Sequence, residues 1–276
     1  MQNLNLINCE KSDIKYSISM FPDGESQITL GEFSRKDDIT VHCRITNAEE
    51  LFILMQVIDI LNRHEVYYDV TIYYLMGMRM DRVMDFNRPF TLKVIAEVLN
   101  KVPHDVMIVE PHSDNIYKFL GTKYYPETVE FKHDFGIELT EYQIVLPDKG
   151  AAIRYGGIGN YSKTPIIRCS KVRDEATGKL SGFKIENPED IIDKPLLIID
   201  DLCDGGGTFC GIAAELKKYN SDINIAVTHM VNNKGIQNLS KVFNHIWFTN
   251  SYCDWKSAYL AHDTDFPSNI TQVDII

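Results

Sequence analysis

Six cysteines in 276 residues, at positions 9, 43, 169, 203, 210 and 253, form no C-x-x-C pair, so neither a zinc site nor a disulfide framework is indicated and reduced, packed thiols are expected. No apolar run approaches the roughly 18 residues a membrane helix requires, and the polar start MQNLNLINCEKSD does not read as a secretory signal. Positive charge is in short supply too: 28 Lys and Arg face 39 Asp and Glu, a formal net charge of −11. That balance argues against general nucleic-acid binding. Both standard nucleotide fingerprints, G-x-x-x-x-G-K-[ST] and a helix-opening G-x-G-x-x-G, are missing. No Pro/Gly/Ser linker, low-complexity tract or evident repeat interrupts the chain. These absences point to a cytoplasmic protein with no membrane or nucleic-acid partner. Any phosphorylated ligand must then be received by metal or by local cations such as Arg79, Arg82 and Arg88, or Lys171, Arg173 and Lys179.

What is present is an ordinary globular composition, 44% hydrophobic and 24% charged, and an alternation of strand and helix signals. Ile14–Met20 and Ser26–Leu30 read as strands around the turn Phe21-Pro-Asp-Gly-Glu25, and 38–45 as a third. Apolar residues recur at helical spacing over Ala48–Arg63, and Val70–Met76 is a buried strand. A loop from Gly77 to Pro89 leads to a helix over Phe90–Leu99 and a strand at Met107–Val109. The second half opens near Gly136, with strands at Ile144–Leu146 and Pro165–Cys169 and a charged hairpin-like stretch from Lys171 to Ile185. Beyond the signature strand and helix described next come a strand at Ile223–His229, a helix over 235–242 and a strand at His245–Phe248. The expectation is an α/β fold of two domains, 1–136 and 137–276, each a mainly parallel sheet flanked by helices, with active edges at the strand carboxyl ends.

The most informative run is Lys194-Pro-Leu-Leu-Ile-Ile-Asp-Asp-Leu-Cys-Asp-Gly-Gly-Gly-Thr-Phe209. Leu196–Ile199 has the β-rich, unbroken apolar character of a central parallel strand, and Asp200 and Asp201 stand at its carboxyl edge. Gly205, Gly206 and Gly207 let the backbone turn and approach a ligand, while Thr208 is placed to cap the helix Phe209–Tyr219 and offer its hydroxyl to a phosphate. Free N–H groups at such a helix start suit an anion. The carboxylates, with Asp204, suit sugar hydroxyls or a metal. Cys203 lies among acids that raise a thiol pKa, against a nucleophilic role.

This segment resembles the ribose-phosphate signature of type I phosphoribosyltransferases and phosphoribosyl-diphosphate (PRPP) synthetases. Further motifs, in order, are similar to those of PRPP synthetases alone. They are the turn Phe21-Pro-Asp-Gly-Glu25, the loop Ile72–Arg82 leading to Arg88-Pro-Phe-Thr, Glu110-Pro-His112, Leu146-Pro-Asp148-Lys-Gly150, Ser170-Lys-Val-Arg173 and Val227-Thr-His229. The resemblance covers nearly the whole chain. It implies two similarly folded domains and transfer of the β,γ-diphosphate of ATP to the anomeric hydroxyl of ribose 5-phosphate, releasing AMP.

Roles follow by the same resemblance. Lys171 and Arg173, alternate residues of one strand and so on one face, would stabilise the transferring group, which needs charge neutralisation more than covalent help. Arg79, with Asp81 and His112, would hold ATP. His112 and Asp148 would bind the Mg²⁺ (or Mn²⁺) of metal-ATP, and Asp200 and Asp201 a second ion together with the ribose. Asp204, Gly205, Gly206, Gly207 and Thr208 would hold the 5-phosphate. Phe21, Asp23 and Glu25 would reach a neighbour's adenine site, making a homo-oligomer, dimer-based or hexameric.

Three departures stand out. Met80 occupies a position where the family usually has Gln, Gly205 replaces a threonine of the phosphate loop, and the chain is shorter than a typical member. The open loop therefore leaves a second acceptor class in play, a ribose esterified at its 5-phosphate such as ADP-ribose, whose product could feed NAD salvage. A silent regulatory paralogue and a phosphoribosyltransferase are further alternatives, the first opposed by retention of the catalytic set and the second by the amino-terminal motifs.

Overall fold

The computed structural model describes residues 1–121, 124–173 and 180–276, with the side chains of Pro126, Arg173 and Leu180 outside that description. Its contacts divide the chain into two compact units, Met1–Thr128 with Ile276, and Val129–Ile275. The second unit takes in the segment before the expected boundary at 136/137, because the Phe131 ring packs edge-on to Tyr155, 6.2 Å away.

In the first unit the chain runs β1 (Gln2–Asn5), β2 (Tyr16–Met20), β3 (Ser26–Leu30), β4 (Ile39–Ile45), α1 (Ala48–Arg63), β5 (Tyr68–Leu75), α2 (Thr91–Leu99), β6 (Val106–Val109) and β7 (Tyr124–Glu127). Five strands form one all-parallel sheet in the order β1-β4-β5-β6-β7. β2 and β3 form a separate antiparallel ribbon. Helix α1 starts where Asn47 accepts the Glu50 N–H, with Glu49 and Glu50 in its first turn and Arg63 in its last, both favourable to the helix dipole. It buries Ile53, Leu54, Val57, Ile58 and Leu61 against the alternating core face Ile39, Val41, Cys43 and Ile45 of β4.

The second unit runs β8 (Gln143–Leu146), α3 (Lys149–Tyr155), α4 (Gly159–Ser162), β9 (Ile167–Arg173), β10 (Leu180–Ile185), β11 (Leu196–Cys203), α5 (Gly207–Leu216), β12 (Ile223–Met230), α6 (Asn233–Leu239), β13 (Ile246–Thr249), α7 (Trp255–Ala261) and β14 (Ile270–Val273). Its sheet has the order β10-β9-β8-β11-β12-β13-β14, parallel except for the β9–β10 hairpin. Every residue of β12 is buried, as a strand covered on both faces requires. The chain leaves β8 for β9 on one side and comes back to β11 on the other. Strand order reverses at β8/β11, and ligands of open α/β sheets bind outside the carboxyl ends of the strands at such a point.

Two local readings are corrected. The signature strand continues past Ile199 to Cys203, since Asp200, Leu202 and Cys203 pair with Val227, His229 and Met230 of β12. Thr208 does not cap the following helix. α5 begins at Gly207, and the cap position is Gly206 in the left-handed region at φ 75°, where glycine carries no steric penalty. Thr208 is thereby inside the first turn and half-buried.

Candidate active site

The switch point of the second unit gathers the strongest chemistry. Asp148 follows β8 and caps α3, its Oδ1 accepting the N–H groups of Gly150 and Ala151 at 2.9 and 3.2 Å. The Lys171 ammonium on β9 donates to Asp148 Oδ2 at 3.0 Å, and each of these two side chains is 34% exposed. Burial alone raises the Asp148 carboxyl, but the Lys171 bond and the two amides outweigh it and hold the group below its ordinary value. The acid therefore stays ionised and the lysine stays aimed.

On the neighbouring strand, Asp201 is 4% exposed and Asp200 half-buried. The Asp201 N–H donates to Asp200 Oδ1 at 3.0 Å. Burial, then the adjacent Asp201 and Asp148 charges, push the Asp200 carboxyl well above its usual range. Across from them, Arg154 in the last turn of α3 brings Nη1 to 3.8 Å from Asp201 Oδ2. Arg154 is a site residue the sequence reading missed. Its only sequence signal was a cation closing the helix that Asp148 opens.

The glycine loop is pinned by amides that were also not anticipated. Asn232 Nδ2 donates to Asp204 Oδ1 at 3.1 Å, and Asn238 Nδ2 to the Gly205 carbonyl at 2.8 Å. A Cβ on Gly206 would lie 3.1 Å from Leu239, whereas one on Gly205 or Gly207 would meet nothing within 4 Å. Side chains are absent from those two positions without packing requiring it. Cys203 is fully buried and its thiol pushed far up, first by desolvation, which removes it as a nucleophile. Arg173 lies on β9 by its backbone, but its side chain and all of Lys179 lie outside the described residues.

The candidate ATP residues belong to the first unit. Phe21, Asp23 and Glu25 are exposed at the tip of the β2–β3 ribbon, where Phe21 N–H donates to Glu25 O at 2.8 Å and Glu25 N–H to Asp23 Oδ1 at 3.2 Å. Arg79 is exposed on the loop after β5. Gly77 opens that loop at φ 81°, and its own missing Cβ would stand 2.6 Å from Ile95. Asp81 ties the loop down: its carboxylate accepts from Arg82 at 2.7 and 3.0 Å, from Ser113 at 2.7 Å and from Asn115 at 3.3 Å. The Arg82 bond is the main reason its carboxyl falls to about 2. His112 is half-buried, its N–H 3.1 Å from Met78 Sδ, and follows Glu110, a non-glycine residue at φ 40°. Strained backbone of this kind is concentrated at functional sites.

Among the described residues no group of three or more His, Cys, Asp or Glu side chains is clustered closely enough to hold a metal by itself. The donors on offer at the switch point are hard carboxylate oxygens, which suit Mg²⁺ or Mn²⁺ bound through one or two acids with water and substrate oxygens completing the shell. No described helix is long and apolar enough to cross a membrane.

The fold and site define an α/β protein with an acidic, glycine-rich loop at a topological switch point. No protein-family model matches the chain. It is 28% identical over 231 residues to ribose-phosphate pyrophosphokinase of Staphylococcus saprophyticus, covering 79% of this chain and 70% of that one. To the enzyme of the same name from Pyrococcus furiosus it is 26% identical over 252 residues, 88% of both chains. Among solved structures, phosphoribosylpyrophosphate synthetase from Mycobacterium smegmatis aligns over 97% of this chain and 88% of that chain with a TM-score of 0.74 and 18% identity. The resemblance read from the motifs is thus borne out. The chain is similar to ribose-phosphate pyrophosphokinases along most of its length and has the fold of a PRPP synthetase.

Proposed function

We propose that this chain is an ATP-dependent ribose-phosphate diphosphokinase, acting in the cytoplasm as a homo-oligomer. The observation that carries the reading is Lys171 of β9 held at 3.0 Å by Asp148 at the end of β8, the strand that adjoins β11 with its half-buried Asp200, buried Asp201 and glycine loop. In the reaction, the anomeric oxygen of ribose 5-phosphate attacks the β-phosphorus of ATP. The bond from that phosphorus to the oxygen shared with the α-phosphorus breaks, AMP carries that oxygen away, and the hydroxyl proton passes to water.

Each candidate residue has a task in that step. Asp200 and Asp201 accept hydrogen bonds from the sugar hydroxyls, and the first amides of α5 with Thr208 bind the 5-phosphate. Lys171, with Arg173 from the same strand, neutralises the diphosphoryl group in transit. Arg79 and the loop that Asp81 anchors hold the ATP phosphates, where a guanidinium fork fits well. His112 in the first unit, and Asp148, Asp200 and Asp201 in the second, are the residues that would hold Mg²⁺ within their own units, which when bound screens phosphate charge. Incubation with ATP, Mg²⁺ and ribose 5-phosphate should yield AMP and PRPP in equal amounts. Formation of ADP in place of AMP would refute the reading.

One observation favours a second acceptor. Open space at Gly205 and Gly207 supports a loop that tolerates a ribose whose 5-phosphate continues into a larger ester, as in ADP-ribose, with diphosphoryl transfer serving NAD salvage. Direct competition between ribose 5-phosphate and ADP-ribose as acceptors decides between the two.

A further inference from the structure

We propose that Arg154 is a positioning residue for the acceptor-binding carboxylate Asp201, and that α3 works as a bracket whose two ends set the diphosphoryl-stabilising lysine and the sugar-binding acid in register. The inference rests on the diphosphokinase reading above.

α3 begins at the Asp148 cap, whose free oxygen fixes Lys171 of β9, and ends with Arg154, whose guanidinium faces Asp201 of β11 at 3.8 Å. One short helix therefore holds side chains of both strands that flank β8. The helix is itself seated, burying Ala151 and Tyr155. Gly150 keeps the cap close, since a Cβ there would stand 3.2 Å from Asp148 Oδ1.

Charge makes the Arg154 contact more than a fold tie. The Asp201 side chain is only 5% exposed and stands beside Asp200, so its charge has little water to lean on. A nearby cation offsets part of the cost of keeping a buried carboxylate charged, and removing Arg154 takes that part away. The Arg154 side chain is 22% exposed and approaches Asp201 from the end of α3. The contact at 3.8 Å is an ion pair beyond hydrogen-bond range, and a guanidinium can close on a carboxylate through two N–H groups where an ammonium offers a point charge. Orientation matters because a small misplacement of a binding group costs roughly 10²-fold in rate.

The test compares Arg154→Ala and Arg154→Lys with the wild-type chain, in steady-state kinetics and in calorimetric titration with ribose 5-phosphate. Arg154→Ala should weaken acceptor KM and Kd by roughly 10–100-fold with the ATP KM unchanged, and Arg154→Lys should recover part of the loss. An unchanged acceptor Kd in folded Arg154→Ala overturns the proposal. If Arg154→Ala fails to fold by circular dichroism, Arg154→Gln replaces it; if that also unfolds, the pair is a fold element and the positioning role is overturned. Should wild type bind ribose 5-phosphate without turning it over, the diphosphokinase reading falls while the titrations still decide the role of Arg154. Wild type that binds neither ribose 5-phosphate nor ADP-ribose overturns both.

Discussion

The Lys171 ammonium and the Asp148 carboxylate stand 3.0 Å apart, and the same carboxylate caps α3 through its other oxygen. Asp148 thus couples the start of a helix to the direction of a cation. Asparagine at this position keeps the cap, because its side-chain oxygen accepts the same amides, but it discards the charge that holds the lysine. Asp148→Asn should melt close to wild type and lose activity. Asp148→Ala should lose activity and also about 1 kcal/mol of stability through the missing cap. Thermal unfolding alongside turnover separates the two, and equal melting temperatures for both variants would deny Asp148 its capping role.

Lys171→Ala should lower kcat on the order of 10²–10³-fold, the usual effect of removing one transition-state donor. Its substrate affinities should change far less, since the charge is most useful while the diphosphoryl group moves. A loss confined to KM would make Lys171 a binding residue.

Acid should loosen the loop that carries Arg79. Asp81 has its folded value lowered to about 2, against an unfolded value near ~3.9, with the Arg82 bond the leading cause. A depressed carboxyl stabilises the fold above its unfolded value, and that contribution disappears as pH falls through the folded one. The difference in urea midpoint between wild type and Asp81→Asn should be constant above about pH 5 and shrink as pH falls from about 4 to about 2. A difference independent of pH would place the effect of Asp81 elsewhere than in its charge.

The glycine loop gives a paired test. Gly206→Ala should cost on the order of 1–2 kcal/mol, the usual penalty for a Cβ in the left-handed region, aggravated by the contact with Leu239. Gly205→Thr meets open space and should leave stability nearly unchanged. If the loop serves an esterified ribose, Gly205→Thr should depress use of ADP-ribose more than use of ribose 5-phosphate. Equal effects on both would show that this loop does not set acceptor choice.

Much of this molecule was legible before its structure. α1 has the expected bounds, since periodicity, an Asn cap and the end charges agree, and the β2–β3 ribbon was announced by its Asp-Gly turn. β1, β7 and β14 were not seen. All three are outermost strands of only four residues; Gln2–Asn5 carries one apolar residue, Ile270–Val273 two, too short a run to announce a strand, and Tyr124–Glu127 contains a proline that argues against a central strand. The acids and glycines of the signature were readable because their chemistry is local. Arg154, Asn232 and Asn238 were not, because each acts on a residue that is brought near only by the crossovers of the parallel sheet.

The most direct measurement is mass spectrometry of the products formed from ATP labelled with ¹⁸O on its β- and γ-phosphoryl groups, with Mg²⁺ and ribose 5-phosphate. The diphosphokinase reading requires unlabelled AMP and a sugar product carrying both labelled phosphoryl groups on its anomeric oxygen, neither of them formed in excess EDTA. A sugar carrying one labelled group together with ADP, or no modified sugar at all from ribose 5-phosphate or ADP-ribose, would contradict it.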